Sequence, residues 1–346
     1  MKKIAIIGHF GIGGNYLDGQ TIKTKIITKE LISQFGNDQV VSIDTHGGKK
    51  VLPKLFFRAI SALHKTKNVV MLPAHNGIKF FTPILTVFNK IFKRKLFYIV
   101  IGGWLPEYLK DKKGLEKRLK KFDGIFVETN TMKTALVNMG FQNIFVMPNC
   151  KDLKILSKEE MEYPSGEPYK LCTFSRVCKE KGIEDAVNAV KAVNEQIGRT
   201  VYLLDIYGQV DKNQTEWFEY LKATFPEYIT YRGMVEYDKS VDVLKDYFAL
   251  LFPTHYYTEG IPGTIIDAYA AGVPVVCTRW ENFFDIIKDS VTGIGYDFDD
   301  KEGLKQVLEK TNNEPKILNL MKEDCIKLAQ MFIPSNAIKI FLEQIQ

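Results

Sequence analysis

Glu259 and Asp267 stand eight positions apart in TEGIPGTIIDAYAAGVPVV, across a turn containing both Gly and Pro. The preceding ALLFP reads as a buried strand, and residues 258–260 as the loop at its carboxyl end. A helix is expected from Pro262 or Gly263, stopping at Gly272 before Pro274. The N-terminus of such a helix presents unpaired N–H groups and the positive end of the dipole, which suits a phosphate. Glu259 then borders the anion from the loop and Asp267 lies about a turn inside the helix, so the two carboxylates can bracket one polyhydroxylated ligand. A plainer alternative stays open on these residues alone: one acid favoured by the dipole and one solvated acid.

Two cations add to this. In TFSRVCKEKGIEDAVNAV, Arg176 and Lys181 follow a strand and precede a helix. Cations at a strand's carboxyl end can neutralise a diphosphate leaving group without a metal. Loop cations are common, and either one alone would say little.

The elements that must position these residues are legible as an alternation. KIAIIG, VVSID, NVVMLP, LFYIVIGG, GIFVET and IFVMPN read as strands, with helices between them near residues 51–65 and 77–92. SKEEMEYPSGEPY reads as a linker, after which YKLCTFS, VYLLDIYG, YITYRG, ALLFP and VPVVCT alternate with helices near 182–196 and 215–224. Strand and helix alternating at this pitch give parallel sheets. The expected fold class is α/β, two Rossmann-like doubly wound domains facing across a cleft, over residues 1–155 and 156–333. A terminal helix over 334–346, with Pro334 as a stop and Ser335 as its N-cap, is expected to pack back on the first domain.

The order strand, R-x4-K-G, helix, then E-x7-D and G-V-P-V, resembles the retaining glycosyltransferases of family 4, whose fold is GT-B. The resemblance covers most of the chain, and MPNCKD is similar to the family's PNGVD at the end of its first domain. It implies that Arg176 and Lys181 hold a nucleotide diphosphate, that Glu259 orients the sugar, and that Asp267 grips the ribose diol. The family usually carries Glu at that last position. It also implies that Gly260, Ile261, Pro262, Gly263 and Thr264 line the sugar and phosphates, that Gly233 and Met234 flank the base, and that Gly14 and Gly19, with Gln20 and Thr21, lie on the donor from the first domain. A family histidine beyond the fourth strand is missing; YIVIGGWLP places Gly103 and Trp104 there. With His75 these are the expected acceptor-side residues, while His9 and His255 are further cleft candidates.

The implied reaction moves a sugar from a UDP-linked donor to a glycan or lipid-linked acceptor in cell-surface polysaccharide or capsule synthesis, with no metal or cofactor. A sugar-nucleotide epimerase and a catalytically silent partner subunit are the alternatives.

Charge narrows the partners. Residues 1–150 hold 24 Lys and Arg against 9 Asp and Glu, a net of +15; the remainder holds 23 against 32, a net of −9. A basic half suits an anionic membrane surface or a phosphorylated ligand. Phe81, Ile84, Leu85, Phe88, Ile91 and Phe92 follow helical spacing and run into Lys93, Arg94 and Lys95, as in a helix lying on an inner leaflet. Nucleic acid is not expected, because the excess is dispersed and no binding motif is present. MKKIAIIGHF passes straight into a strand without a leader pattern, so the expected location is cytoplasmic, peripheral at the membrane. Five cysteines without CxxC spacing are expected as buried thiols.

Overall fold

The computed structural model describes residues 1–13 and 19–345. The chain forms two compact units, Met1–Asp152 together with Met331–Gln346, and Leu153–Gln330. The first contains β1 (Lys2–Gly8), α1 (Gly19–Phe35), β2 (Val40–Asp44), α2 (Leu52–Lys65), β3 (Thr66–Met71), α3 (His75–Phe92) and β4 (Lys95–Ile99). It continues with α4 (Leu105–Leu109), α5 (Lys113–Leu119), β5 (Gly124–Val127), α6 (Asn130–Asn138) and β6 (Ile144–Val146). Its six strands are parallel in the order β2-β1-β3-β4-β5-β6.

Strand alternation builds two cores, one on each face of this sheet. Ala5 and Ile7 of β1 pack with Leu55 and Ala59 of α2 and Phe81 and Leu85 of α3. Ile4 and Ile6 face the other way, toward Ile27 and Leu31 of α1. A period of two therefore satisfies both faces with one strand. The second face is completed by α14 (Pro334–Ala337) and α15 (Lys339–Ile345), returning from the far end of the chain. Phe341 is fully buried, its ring 5.6 Å from that of Phe97 and 5.0 Å from that of Phe126. Burial of one such side chain contributes about 1.5–3 kcal/mol. Pro334 does not stop a helix here, and Ser335 is not its cap. Pro334 is the first residue of α14 and Ile333 the N-cap, since proline's fixed φ and missing N–H suit that position.

Beneath the same face lies an ion pair. Lys23 of α1 and Glu128, just past β5, approach to 2.6 Å with 2% of each side chain exposed. Removing either partner would leave a buried, uncompensated charge, so the pair fixes where α1 sits.

The second unit contains β7 (Tyr169–Phe174), α7 (Ile183–Ile197), β8 (Tyr202–Tyr207), α8 (Thr215–Lys222), β9 (Ile229–Gly233), α9 (Ser240–Leu244) and β10 (Ala249–Phe252). After these come α10 (Gly263–Ala270), β11 (Val275–Thr278), α11 (Phe283–Ile286), β12 (Gly293–Tyr296), α12 (Gly303–Asn313) and α13 (Lys316–Ala329). The parallel order is β12-β11-β10-β7-β8-β9. Chain direction across the sheet reverses between β7 and β10, and the carboxyl ends of strands at such a switch point are where open α/β sheets bind ligands. All five cysteines are buried and unpaired.

Behind α10, Lys322 of α13 is fully buried, donating to the carbonyl oxygens of Tyr247 at 3.3 Å and Gly272 at 3.2 Å. Burial pulls its pKa down to about 8. An unfolded lysine titrates near 10.4, so between these values the unfolded chain binds more protons and stability rises with pH. Urea unfolding of the wild type and of Lys322→Met at pH 7 and pH 9.5 is expected to show the wild type gaining on the variant, by about 2 kcal/mol. A difference between the two proteins that does not change with pH would contradict this.

Candidate active site

At the switch point, two backbone approaches place the cations. Gly182 closes the turn before α7 with φ 67°, and a Cβ there would lie 1.9 Å from the carbonyl oxygen of Pro253, just past β10. Gly208, with φ 132°, lies so near the Ser175 carbonyl that a Cβ would come within 1.7 Å of it. Only glycine lets these backbones meet without displacement. The backbone N–H of His255 also donates to the Glu180 carbonyl at 2.8 Å. The loop after β7 is thereby fastened to the loop after β10.

Lys181 and Glu259 meet across that junction, Nζ to Oε2, at 2.5 Å, with 13% and 22% of their side chains exposed. The ammonium also lies 5.1 Å from the ring centres of both Phe252 and Tyr256, within range of cation–π attraction. Arg176 donates to the Tyr256 hydroxyl at 3.3 Å and stands 3.5 Å from the Asp211 carboxylate. Tyr256 thus touches both expected phosphate ligands. It was not among the sequence candidates, because nothing in PTHYYTEG distinguishes its ring from that of Tyr257. Asn282 was also missed; its amide donates to the Glu259 carbonyl at 2.7 Å and fixes the loop.

The run from Gly260 leads into α10, which starts at Gly263, one of the two starts the sequence offers. Pro262 is its N-cap and has no side chain to cap it, so the first-turn N–H groups keep their positive end. Ile261 is buried, and the Thr264 hydroxyl oxygen is buried with no hydrogen-bond partner. Asp267, on the same helix, is only 3% exposed. Glu259 is therefore the more accessible of the two acids. Gly233 ends β9 with no atom within 4 Å of a Cβ placed on it, and Met234 beside it is 67% exposed, leaving an open shelf. His255 turns away to Asp185, Nε2 to Oδ2 2.5 Å.

The first unit presents a separate group of residues at its own strand ends. His75, the first residue of α3, stacks on Trp104 with ring centres 3.9 Å apart, and the Tyr108 ring meets both edge-on at 4.8 and 5.2 Å. The Tyr108 hydroxyl donates to the His75 carbonyl at 3.0 Å, and the Trp104 indole donates to Ile101 at 2.8 Å. Gly103 is buried beside Trp104. Burial, Lys112 and Lys79, in that order, hold the His75 pKa below its ordinary value.

Past β1, the His9 ring meets the Thr21 hydroxyl at 2.7 Å and the His46 ring at 3.2 Å. Asp44 accepts from the backbone of Phe10, Ile12 and His46. Burial raises its pKa, but these N–H donors outweigh burial and hold the carboxyl below the usual range. Gly19 opens α1 and is exposed, with Gln20 beside it; Gly14 lies outside the described residues.

Residues 168–312 match the family model described as glycosyl transferases group 1, a span that takes in every second-unit candidate from Arg176 to Asp267. No curated protein sequence matches the chain. Among solved structures, HepE of Anabaena in complex with UDP and glucose is similar with a TM-score of 0.73 at 14% identity, covering 99% of both chains. Sucrose-phosphate synthase from Thermosynechococcus elongatus gives 0.74 at 15%, covering 99% of this chain and 98% of that one. The pneumococcal O-GlcNAc transferase GtfA in complex with UDP and GlcNAc gives 0.63 at 18%, covering 83% and 58%. At these identities the likeness shows the fold, which is GT-B.

The Lys181–Glu259 contact is partly shielded from water, and each residue also packs on the β7 and β10 loops. A double-mutant cycle of Lys181→Ala and Glu259→Ala, read by urea unfolding, is expected to give a coupling of about 1 kcal/mol. Strictly additive single effects would show that the two charges do not act as a pair.

Proposed function

We propose that the chain transfers a sugar from a nucleoside diphosphate-sugar, UDP-linked, to a hydroxyl of a glycan or lipid-linked acceptor, retaining the anomeric configuration as in family 4. The observation that carries this reading is the meeting of Arg176, Lys181 and Glu259 at the switch point, next to the uncapped start of α10. Matching of this unit to the group 1 glycosyl transferases supports it.

In this reading Arg176 and Lys181 take the diphosphate, with the α10 N–H groups and the unpartnered Thr264 hydroxyl completing the anion cradle. A phosphate reaching Lys181 shares that ammonium with Glu259, and the carboxylate turns to the sugar hydroxyls. The bond between the anomeric carbon and the phosphate oxygen breaks, and the bond from acceptor oxygen to anomeric carbon forms on the same face. The acceptor proton passes to the departing phosphate. Charge building on that phosphate meets two fixed cations, so no metal is required for this step, and fixed charges of this kind are often the largest contribution to catalysis. Asp267 is assigned to the ribose, and the Gly233–Met234 shelf to the base.

A peripheral position at an anionic membrane in polysaccharide or capsule synthesis fits the first unit. Most of the apolar stripe on α3 covers the sheet: Phe81, Ile84 and Leu85 are buried. Ile91 remains 74% exposed and Val87 47%, and on the adjoining α2 Phe57 is 69% exposed. Lys54 and Arg58 on α2, and Lys90 and Lys93 at the end of α3, are exposed, and residues 51–100 contain no acid at all. No helix is long and apolar enough, among the described residues, to cross a membrane.

Donor hydrolysis and transfer assayed with UDP-glucose and UDP-GlcNAc are expected to fall about 10²- to 10³-fold in Lys181→Ala and in Glu259→Ala, and to be unchanged by EDTA. Equal turnover in all three proteins would refute the assignment, and loss with EDTA would refute the metal-free step. Co-sedimentation with phosphatidylglycerol vesicles is expected to fall in Phe57→Ser/Ile91→Ser and to weaken with salt. Binding that is indifferent to both would remove the membrane from the reading.

A further inference from the structure

The aromatic group at the carboxyl ends of β3 and β4 is accompanied by two cations without counter-ions. Lys112 Nζ lies 4.1 Å from the centre of the Tyr108 ring, and Lys79 Nζ lies 5.6 Å from it. Neither lysine forms an ion pair among the described residues. Of the nearby acids, Glu107 pairs with Lys110, Glu116 pairs with Lys113 and Lys120, and Asp111, next to Lys112 in sequence, pairs with neither lysine among the described residues. Surface lysines normally find a carboxylate or extend into water. Two that converge on one ring beside the exposed His75 raise the local positive potential, and an anion lowers that cost. The stacked His75 and Trp104 rings supply an apolar platform of the kind that receives the C–H face of a sugar. Burial, Lys112 and Lys79 hold the His75 pKa below its ordinary value, which favours the neutral ring, and a neutral ring can accept a hydrogen bond from a hydroxyl.

The geometry points to a subsite that takes a sugar bearing an anionic group, phosphate or carboxylate, with the charge on Lys79 and Lys112 and the sugar ring against His75 and Trp104. Reading the bound sugar as the acceptor rests on the proposed sugar transfer; the binding itself does not. Lys79 and Lys112 thereby select the acceptor by charge, while His75 and Trp104 hold its ring.

Ligand-observed NMR titration of the full chain, without any donor, tests this with glucose 6-phosphate, glucuronate and methyl α-glucoside. At least one anionic sugar is expected to bind about tenfold or more tighter than the neutral glucoside, and which of the two does so separates phosphate from carboxylate. Lys79→Gln/Lys112→Gln is expected to abolish the preference, and Trp104→Leu to weaken every sugar. Equal binding of charged and neutral sugars, no binding of any, or a preference that survives in the double variant would overturn the subsite. The wild-type preference decides the matter even if a variant does not fold. Failure of sugar transfer would show instead as absent UDP-sugar turnover, which this titration does not measure.

Discussion

A lysine ammonium and a glutamate carboxylate 2.5 Å apart hold together the loops of two neighbouring parallel strands, and the arrangement of the candidate site in the second unit depends on that junction. β7 and β10 are neighbours only because the chain reverses its course across the sheet between them. One loop brings cations and the other brings a carboxylate followed by a helix start. Gly182 allows the backbones to approach closely enough for the side chains to meet. The geometry is thus set by hydrogen-bonded backbone, with the charges placed last. Tyr256 then stabilises both cations from one ring, so neither Arg176 nor Lys181 is left to explore solvent freely.

The first unit solves a different electrostatic problem. Its positive charge has little acid to neutralise it, and the structure distributes it: Lys23 is matched internally by Glu128, Lys113 and Lys120 by Glu116, and others stay on the faces of α2 and α3. What remains near Tyr108 and around Phe57 and Ile91 is positive charge next to apolar surface. Such surfaces favour ligands that are anionic and amphipathic together, which sugar phosphates, uronates and lipid headgroups all are.

Much of this was legible in the sequence, for identifiable reasons. Alternating β-branched runs announced the parallel sheets, and the Gly and Pro punctuation placed the start of α10 to within one residue. β12 escaped because two of its four residues are glycine, which leaves little periodic signal. Pro334 was misread because a proline that ends one helix and a proline that begins another look alike without their neighbours in space. The partnership of Lys181 with Glu259 was hidden for a different reason: spacing showed that each lay at a strand's end, but not that the two strands were adjacent. Tyr256, Asn282, Tyr108 and Lys112 carry no pattern at all, since their roles come from contacts between separate loops or between rings packed in three dimensions. Asp267 was placed on the correct helix, yet its burial follows from α10 being apolar on nearly every side.

The return of residues 331–346 to the first unit has a consequence for how the protein is made. Phe341 and Ile345 lie in the same cluster as Ile4, Ile6, Phe97 and Phe126, yet they are synthesised after the whole of the second unit. During translation the β1–β6 sheet must wait with one face incompletely covered while residues 153–330 emerge and close their own core. The half that begins first is completed last, and its exposed aromatic face is the surface that a nascent-chain chaperone would meet.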